Sequence, residues 1–294
     1  MTGAAPAAPL KPALLDLAGL AKPPISFLAG SAAALGCAAC LPGRASAALG
    51  AGFGVFLLSA GACTLNNWQD RDIDGAETRT RGRPLPSGRL RPGAALAQAA
   101  LLLAAGLACL ALVAGSYAAP LAGALAVLLY NAAYTPLKRR TLLALAPGLL
   151  CGALPPLVGW LAAGGTARPG LIYLMILFGA WQLPHLWLIL LSGAGVERRL
   201  VPSFLDRFAP EQLRRMTAAW VAAFAFLTLF LRVFGFVGGA AVLPLAANAL
   251  LLPLVFLRFL GGGWTPAKGR GLSLYLTLSM LGVTLLAAAA TLRG

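Results

Sequence analysis

Apolar residues run along this chain in blocks, not in alternation. Nine stretches, 24–42, 46–66, 94–114, 117–135, 142–163, 170–191, 217–236, 241–257 and 272–290, carry almost no charge, and polar residues gather in the gaps. Each is close to the roughly 20 residues that a helix needs to cross the hydrocarbon layer of a bilayer. A strand would alternate with period two; these runs do not, so each reads as a helix whose backbone groups bond within the segment. The pattern predicts an all-α membrane protein, a bundle of about nine transmembrane helices. Residues 1–20, Ala/Pro-rich at the start, read as a disordered N-terminal tail, and 21–294 as one transmembrane domain.

Composition agrees. Hydrophobic residues make up 60% of the chain and charged ones 11%, against about 25% charged in a soluble domain. The net charge of +15 would suggest nucleic acid in a soluble protein. Here the basic residues sit between apolar runs and sort by side, so the partner they indicate is the bilayer and not nucleic acid. Arg44, Arg168, Arg232 and Arg293 are the only basic residues on one face; the other 19 of 23 lie in the N-terminal segment and in the gaps after even-numbered spans. The positive-inside rule makes that second face cytoplasmic, with the N-terminus inside and the C-terminus outside. All eight acidic residues lie on that face, in the N-terminal segment or in its long gaps 67–93 and 192–216. Long polar gaps in a chain of otherwise minimal loops are where chemistry is expected. The five cysteines fall within or beside apolar runs and imply packing, not disulfides.

The strongest chemical pattern begins where the second span leaves the apolar run. Asn66, Asp70 and Asp74 are spaced i, i+4, i+8; on a helix each step drifts by only about 40° and rises about 6 Å, so an amide and two carboxylates share one face. Asp72 points away. Oxygen donors at this density suit a hard cation such as Mg²⁺, which keeps waters and shares phosphate oxygens. A solvated helix end with the acids paired to Arg71 and Arg79 is the simpler reading. However, carboxylates lined up at a membrane boundary repel one another unless a cation or cavity offsets the cost. Arg79, Arg81 and Arg83 follow in a Pro/Gly-punctuated segment, and guanidinium forks match phosphate oxygens. Metal ligands beside an arginine-rich loop describe a diphosphate site.

Asn66, Asp70 and Asp74, followed by Arg79, Thr80, Arg83, Pro84 and Leu85, resemble the N-x-x-x-D-x-x-x-D and R-T-x-x-R-P-L segments of the UbiA superfamily of intramembrane prenyltransferases. Three later stretches are similar to its haem-farnesylating branch. Tyr134-Thr135-Pro136-Leu137-Lys138-Arg139-Arg140-Thr141 resembles Y-T-x-x-L-K-R-x-T, offset by one. Gly152-Ala153-Leu154-Pro155-Pro156-Leu157-Val158-Gly159-Trp160 resembles G-A-x-P-P-L-x-G-W, and Trp181-Gln182-Leu183-Pro184-His185-Leu186-Trp187 resembles W-Q-x-P-H-F-W. The resemblance spans residues 20–290 and implies a UbiA-like helical bundle. It departs from the pattern once: the second acidic segment, D-Y-x-x-A-G-x-P, has no aspartate counterpart here, and only Glu197 and, further on, Asp206 offer carboxylates.

The resemblance implies transfer of a farnesyl group from a prenyl diphosphate to haem B, giving haem O. Asn66, Asp70 and Asp74 would hold Mg²⁺. Asp70, Asp74, Lys138 and Tyr134 would be catalytic, and Asn66, Arg79, Arg83, Arg139, His185 and Glu197 would bind substrate. His185, the only histidine, lies inside an apolar span, where an ionisable group usually faces a cavity or serves a ligand; the adjacent Pro184 frees a backbone carbonyl. Tyr134 lies one turn before Lys138, so both can face one cavity. Two alternatives stay open: prenyl transfer to an aromatic quinone precursor, and a non-catalytic haem- or polyprenyl-binding membrane protein.

Overall fold

The computed structural model describes residues 10–78, 80–193, 202–260 and 263–293. Among them, nine helices are long and apolar enough to cross a membrane. They follow a short first helix, α1 (Leu10–Leu20). The nine are α2 (Pro23–Cys40), α3 (Ala45–Ala76), α4 (Pro92–Ala114), α5 (Ala118–Leu137), α6 (Leu142–Ala162), α7 (Pro169–Ser192), α8 (Pro210–Val233), α9 (Gly239–Phe259) and α10 (Pro266–Arg293). Proline opens α2, α4, α7, α8 and α10. Its missing N–H is not needed in a first turn, and its fixed φ already suits a helix. Gly115, at φ +59°, takes the left-handed conformation that ends α4.

Each expected span is present, and several run beyond their apolar stretch, α10 by six residues at its start. Helix α3 continues ten residues past the expected end at 66, and α8 begins seven residues before 217. Hydropathy sees only the lipid-crossing part; the polar turns outside it remain helical. In α8 those first turns carry the Glu211–Arg214 and Glu211–Arg215 pairs, which suit a solvated helix end. The expected disorder of 1–20 also needs correction. Residues 10–20 form α1, and Leu20 is buried with Leu85, Leu90 and Ala95. Asp16 pairs with Arg89 at 3.0 and 3.1 Å. The Gln98 side chain donates to the Leu17 carbonyl at 3.0 Å, and Asn67 to the Leu20 carbonyl at 3.1 Å. A composition-based reading misses these long-range partners. Residues 1–9 lie outside the described residues.

Helix α2 joins two apolar clusters. Its Leu28, Ala32 and Leu35 meet Leu177, Phe224, Phe256 and Met280 of α7–α10. Its Ala33, Cys37 and Ala38 meet Ala51, Leu58, Leu110 and Val158 of α3, α4 and α6. The backbones approach very closely at α2–α6: a Cβ on Gly159 would stand 1.8 Å from the Ala33 carbonyl oxygen, and one on Gly36 2.1 Å from that of Pro156. Small residues permit such contact where lipid offers no hydrophobic drive between helices. Helices α4 and α9 face outward, with only 17% of their apolar windows buried; Leu101, Leu112, Leu243 and Leu250 cover that exterior.

Candidate active site at one end of the bundle

The polar extension of α3 carries the site. Asn66, Asp70 and Asp74 are 4%, 6% and 7% exposed, while Asp72, on the opposite side, has 76% of its side chain exposed. The stripe therefore faces the protein, as the i, i+4, i+8 spacing predicts. Lys138, just past the end of α5, forms an ion pair with Asp70 Oδ2. Arg139 Nη2 lies 3.3 Å from Asp70 Oδ1 and also donates to the Gln69 carbonyl. Asn66 Nδ2 donates to Asp70 Oδ2 at 2.9 Å. Asp74 is held by Arg83 Nη1 at 2.7 Å, and its carbonyl accepts from Thr80 Oγ1 at 2.9 Å. Burial pushes the Lys138 ammonium down, and Asp70 pulls it back up.

Helix α5 meets this stripe through a π-helical turn, Leu129–Tyr134, a local widening frequent at functional sites. Tyr130 and Tyr134 stack at 5.5 Å, and Lys138 Nζ lies 5.4 Å over the Tyr134 ring. The turn widens where Pro136 follows. In an i→i+5 register the Asn131 carbonyl would be served by residue 136, and proline has no N–H. Gln69 Nε2 of α3 takes that carbonyl at 2.9 Å instead, and Asn131 Nδ2 returns a bond to Gln69 Oε1 at 3.1 Å.

Three contributors carry no site role in the sequence reading, although Lys22-Pro23 and the stretch from Tyr130 to Thr141 lie in segments that resemble the family. Lys22 Nζ lies 3.3 Å from Asn66 Oδ1, and Tyr130 donates its hydroxyl to the same oxygen at 3.2 Å. Thr135 Oγ1 accepts from Asn66 Nδ2 at 3.0 Å. Lys22 reads as a topological anchor, although its φ of +45° is unusual for a side chain larger than glycine. Tyr130 and Thr135 sit in an apolar run, and only their Tyr-x-x-x-x-Thr-Pro spacing marks them. A cavity of about 330 Å³ lies between α1 and the segment that carries Arg83 and Arg89, lined by Leu20, Lys22, Asn67, Arg83, Pro84 and Arg89 among others; it touches the site through Lys22 and Arg83 and is not lined by Asn66, Asp70 or Asp74.

The expected residues do not all converge. Asn66, Asp70, Asp74, Arg83, Tyr134, Lys138 and Arg139 come together. Arg79 and Glu197 lie outside the described residues. His185 is on α7, with Nδ1 3.2 Å from Ser273 Oγ and 3.4 Å from Thr277 Oγ1 of α10, and the Trp181 ring stacked on it at 4.6 Å. The carbonyl freed by Pro184 is that of Ala180, and Trp220 Nε1 of α8 takes it at 2.8 Å. The proline thus serves helix packing. Asp206 accepts from the Ser203 backbone N–H at 2.7 Å in a short capped turn.

The donor chemistry fits a hard divalent ion that completes its shell elsewhere. Among the described residues no three His, Cys, Asp or Glu side chains gather to hold a metal by themselves. Two carboxylates and one amide oxygen are supplied, and Mg²⁺ ordinarily draws its remaining ligands from phosphate and water. Three cations, Arg83, Lys138 and Arg139, pair with the two carboxylates, and a fourth, Lys22, meets the Asn66 amide oxygen. That surplus of positive charge suits a polyanion.

Fold and site together define a polytopic α-helical membrane protein with a cation-rich carboxylate site at one end of its bundle. The sequence model of the UbiA prenyltransferase family matches residues 25–262. The chain is 42% identical over 241 residues to the protoheme IX farnesyltransferase of Geobacter sulfurreducens, covering 79% of this chain and 86% of that protein. It therefore belongs to the UbiA prenyltransferase family. Its backbone matches that of a UbiA homologue from Aeropyrum pernix K1 with a TM-score of 0.68 at 19% identity, over 90% of this chain and 96% of that one. A UbiA homologue from Archaeoglobus fulgidus, bound to GPP and Mg²⁺, matches with a TM-score of 0.63 at 15% identity, over 93% and 99%.

Proposed function

We propose that this protein transfers a farnesyl group from a prenyl diphosphate to haem B, giving haem O. The reading is carried by one observation: Asp70 and Asp74 are buried on one helix face and each is matched to cations from another part of the chain. The names of the relatives and the ligands of the Archaeoglobus homologue support it. Asn66, Asp70 and Asp74 would hold Mg²⁺, which neutralises the diphosphate and eases its departure. Lys138, Arg139 and Arg83 exchange their carboxylate partners for diphosphate oxygens, and Lys22 and Arg79 add to the positive charge where the leaving group develops its own.

The allylic C–O bond breaks with its electron pair going to the diphosphate. Tyr134 lends its ring face to the carbon left electron-poor. The terminal carbon of a haem vinyl group forms the new C–C bond, water adds at the adjacent carbon, and one proton is released. His185, with Trp181 stacked on it, belongs to the acceptor side, and Glu197 stands in for the missing second-motif aspartate. Residues 21–294 act as one domain in the cytoplasmic membrane, with the N-terminus and active site facing the cytoplasm. The one-sided distribution of basic residues supports this orientation.

The test is purified protein with farnesyl diphosphate, haem B and Mg²⁺, with pigment masses read by mass spectrometry. Haem O should form, should vanish with EDTA, and should be absent for Asp70→Ala. Haem O made equally well by Asp70→Ala would overturn the ligand assignment. A prenylated aromatic acid in place of haem O would shift the acceptor to a quinone precursor.

A further inference from the structure

Asn66 has an amide whose two ends differ in kind. Only its oxygen can serve a cation, so the orientation of the amide decides whether the first ligand of the stripe works. Side-chain amides look nearly alike at both ends, and their hydrogen-bond partners tell them apart.

The decisive partner is Thr135, 1% exposed, at the end of the π-turn. Its hydroxyl has a single proton. That proton goes to the Tyr130 carbonyl at 2.8 Å, which also receives the Thr135 backbone N–H. With its proton committed, Thr135 Oγ1 can only accept from Asn66, at 3.0 Å, so the end facing it is the NH₂ group. The second N–H goes to Asp70 Oδ2 at 2.9 Å. The oxygen then points the other way, where Lys22 Nζ and the Tyr130 hydroxyl already meet it at 3.3 and 3.2 Å. A flipped amide would set its oxygen against the Asp70 carboxylate and its NH₂ against an ammonium. Asp70 contributes to this lock, but it is itself assigned to the metal. Thr135 has no such second partner.

We propose that Thr135 is the positioning residue of the cation site: it fixes the orientation of the Asn66 amide, so that the NH₂ end stays on Asp70 and the oxygen stays on the side of Lys22 and Tyr130, where a cation in place of the Lys22 ammonium would meet it. The inference rests on the Mg²⁺-dependent prenyl diphosphate site proposed above. In this reading Thr135 acts on the cation site through Asn66, and its bond to the Tyr130 carbonyl fixes the hydroxyl that does so.

The experiment measures Mg²⁺-dependent binding of an unreactive farnesyl thiodiphosphate by calorimetry in detergent, alongside thermal melting. Thr135→Val should raise the Mg²⁺ concentration for half-saturation by about 10–100-fold, the usual effect of losing a partner that orients a metal ligand. Thr135→Ser, which keeps the hydroxyl, should stay near wild type. Thr135→Ala replaces the valine variant if the latter does not fold. In an Asn66→Asp background neither end of the side chain can donate, so removing the Thr135 hydroxyl should cost little more. A role confined to helix packing would weaken binding equally in both backgrounds, and that result overturns the proposal. So does a valine variant that binds like wild type while wild type binds in a Mg²⁺-dependent manner. Wild type that shows no Mg²⁺-dependent binding refutes the functional reading itself, and this inference with it.

Discussion

Asp70 takes an amide N–H from Asn66 on its own helix, and an ammonium and a guanidinium from Lys138 and Arg139 in the turn after α5. A carboxylate so buried is tolerable only because of them. Removing Lys138 is thus a test of chemistry with a limited structural penalty, since Arg139 still neutralises Asp70. We expect Lys138→Met to lower kcat by about 10²–10³-fold, as loss of one charge-stabilising donor does elsewhere, with the folded fraction in detergent near wild type. Steady-state kinetics and gel filtration check both halves. At this scale the sequence was legible wherever charge spoke. The Asn66–Asp70–Asp74 stripe shares one face as its spacing implied, and Arg83, Lys138 and Arg139 meet it as the family resemblance implied. The sequence assigned no role to Tyr130 and Thr135, whose hydroxyls lie in an apolar run and find their partner on a helix 64 and 69 residues away in sequence.

Prolines in α5 and α7 illustrate one device used twice. Each removes a backbone N–H, and a side chain from a neighbouring helix fills the vacated carbonyl: Gln69 at Asn131 and Trp220 at Ala180. The sequence marks the proline but not the partner, so the carbonyl that Pro184 frees, that of Ala180, is legible as vacant while its bond to α8 is not. Trp220→Phe leaves a carbonyl unpaired and should cost about 1–3 kcal/mol, seen as a lower melting temperature. Adding Pro184→Ala restores an N–H for that carbonyl and should recover much of the loss. If the double variant is no more stable than Trp220→Phe, the tryptophan acts through bulk alone. A different limit applies at α2–α6. Gly159→Ala places a methyl against the Ala33 carbonyl, and overpacking of this kind costs about 1–3 kcal/mol, again readable by thermal melting.

Across the molecule, the count and order of spans were legible because hydropathy reports the same solvent change that the bundle obeys. The ends were less so, since α3, α8 and α10 continue as helix past their apolar stretches. The proposed orientation has its own check. In right-side-out vesicles, a membrane-impermeant maleimide should label Ser116→Cys and spare Ser87→Cys in a cysteine-free background; the reverse pattern inverts the topology. Helix α1 was hidden entirely, because its stabilising contacts all come from elsewhere: Asp16 with Arg89, and the carbonyls of Leu17 and Leu20 with Gln98 and Asn67. Anyone trimming this chain for expression would be tempted to cut just before Pro23, where the hydropathy plot says the protein begins. That cut discards Lys22 and unclasps the bend carrying Arg83, so the trimmed enzyme should insert normally yet need several-fold more prenyl diphosphate for half-maximal rate. A purification tag belongs at the far end of the chain, beyond Arg293.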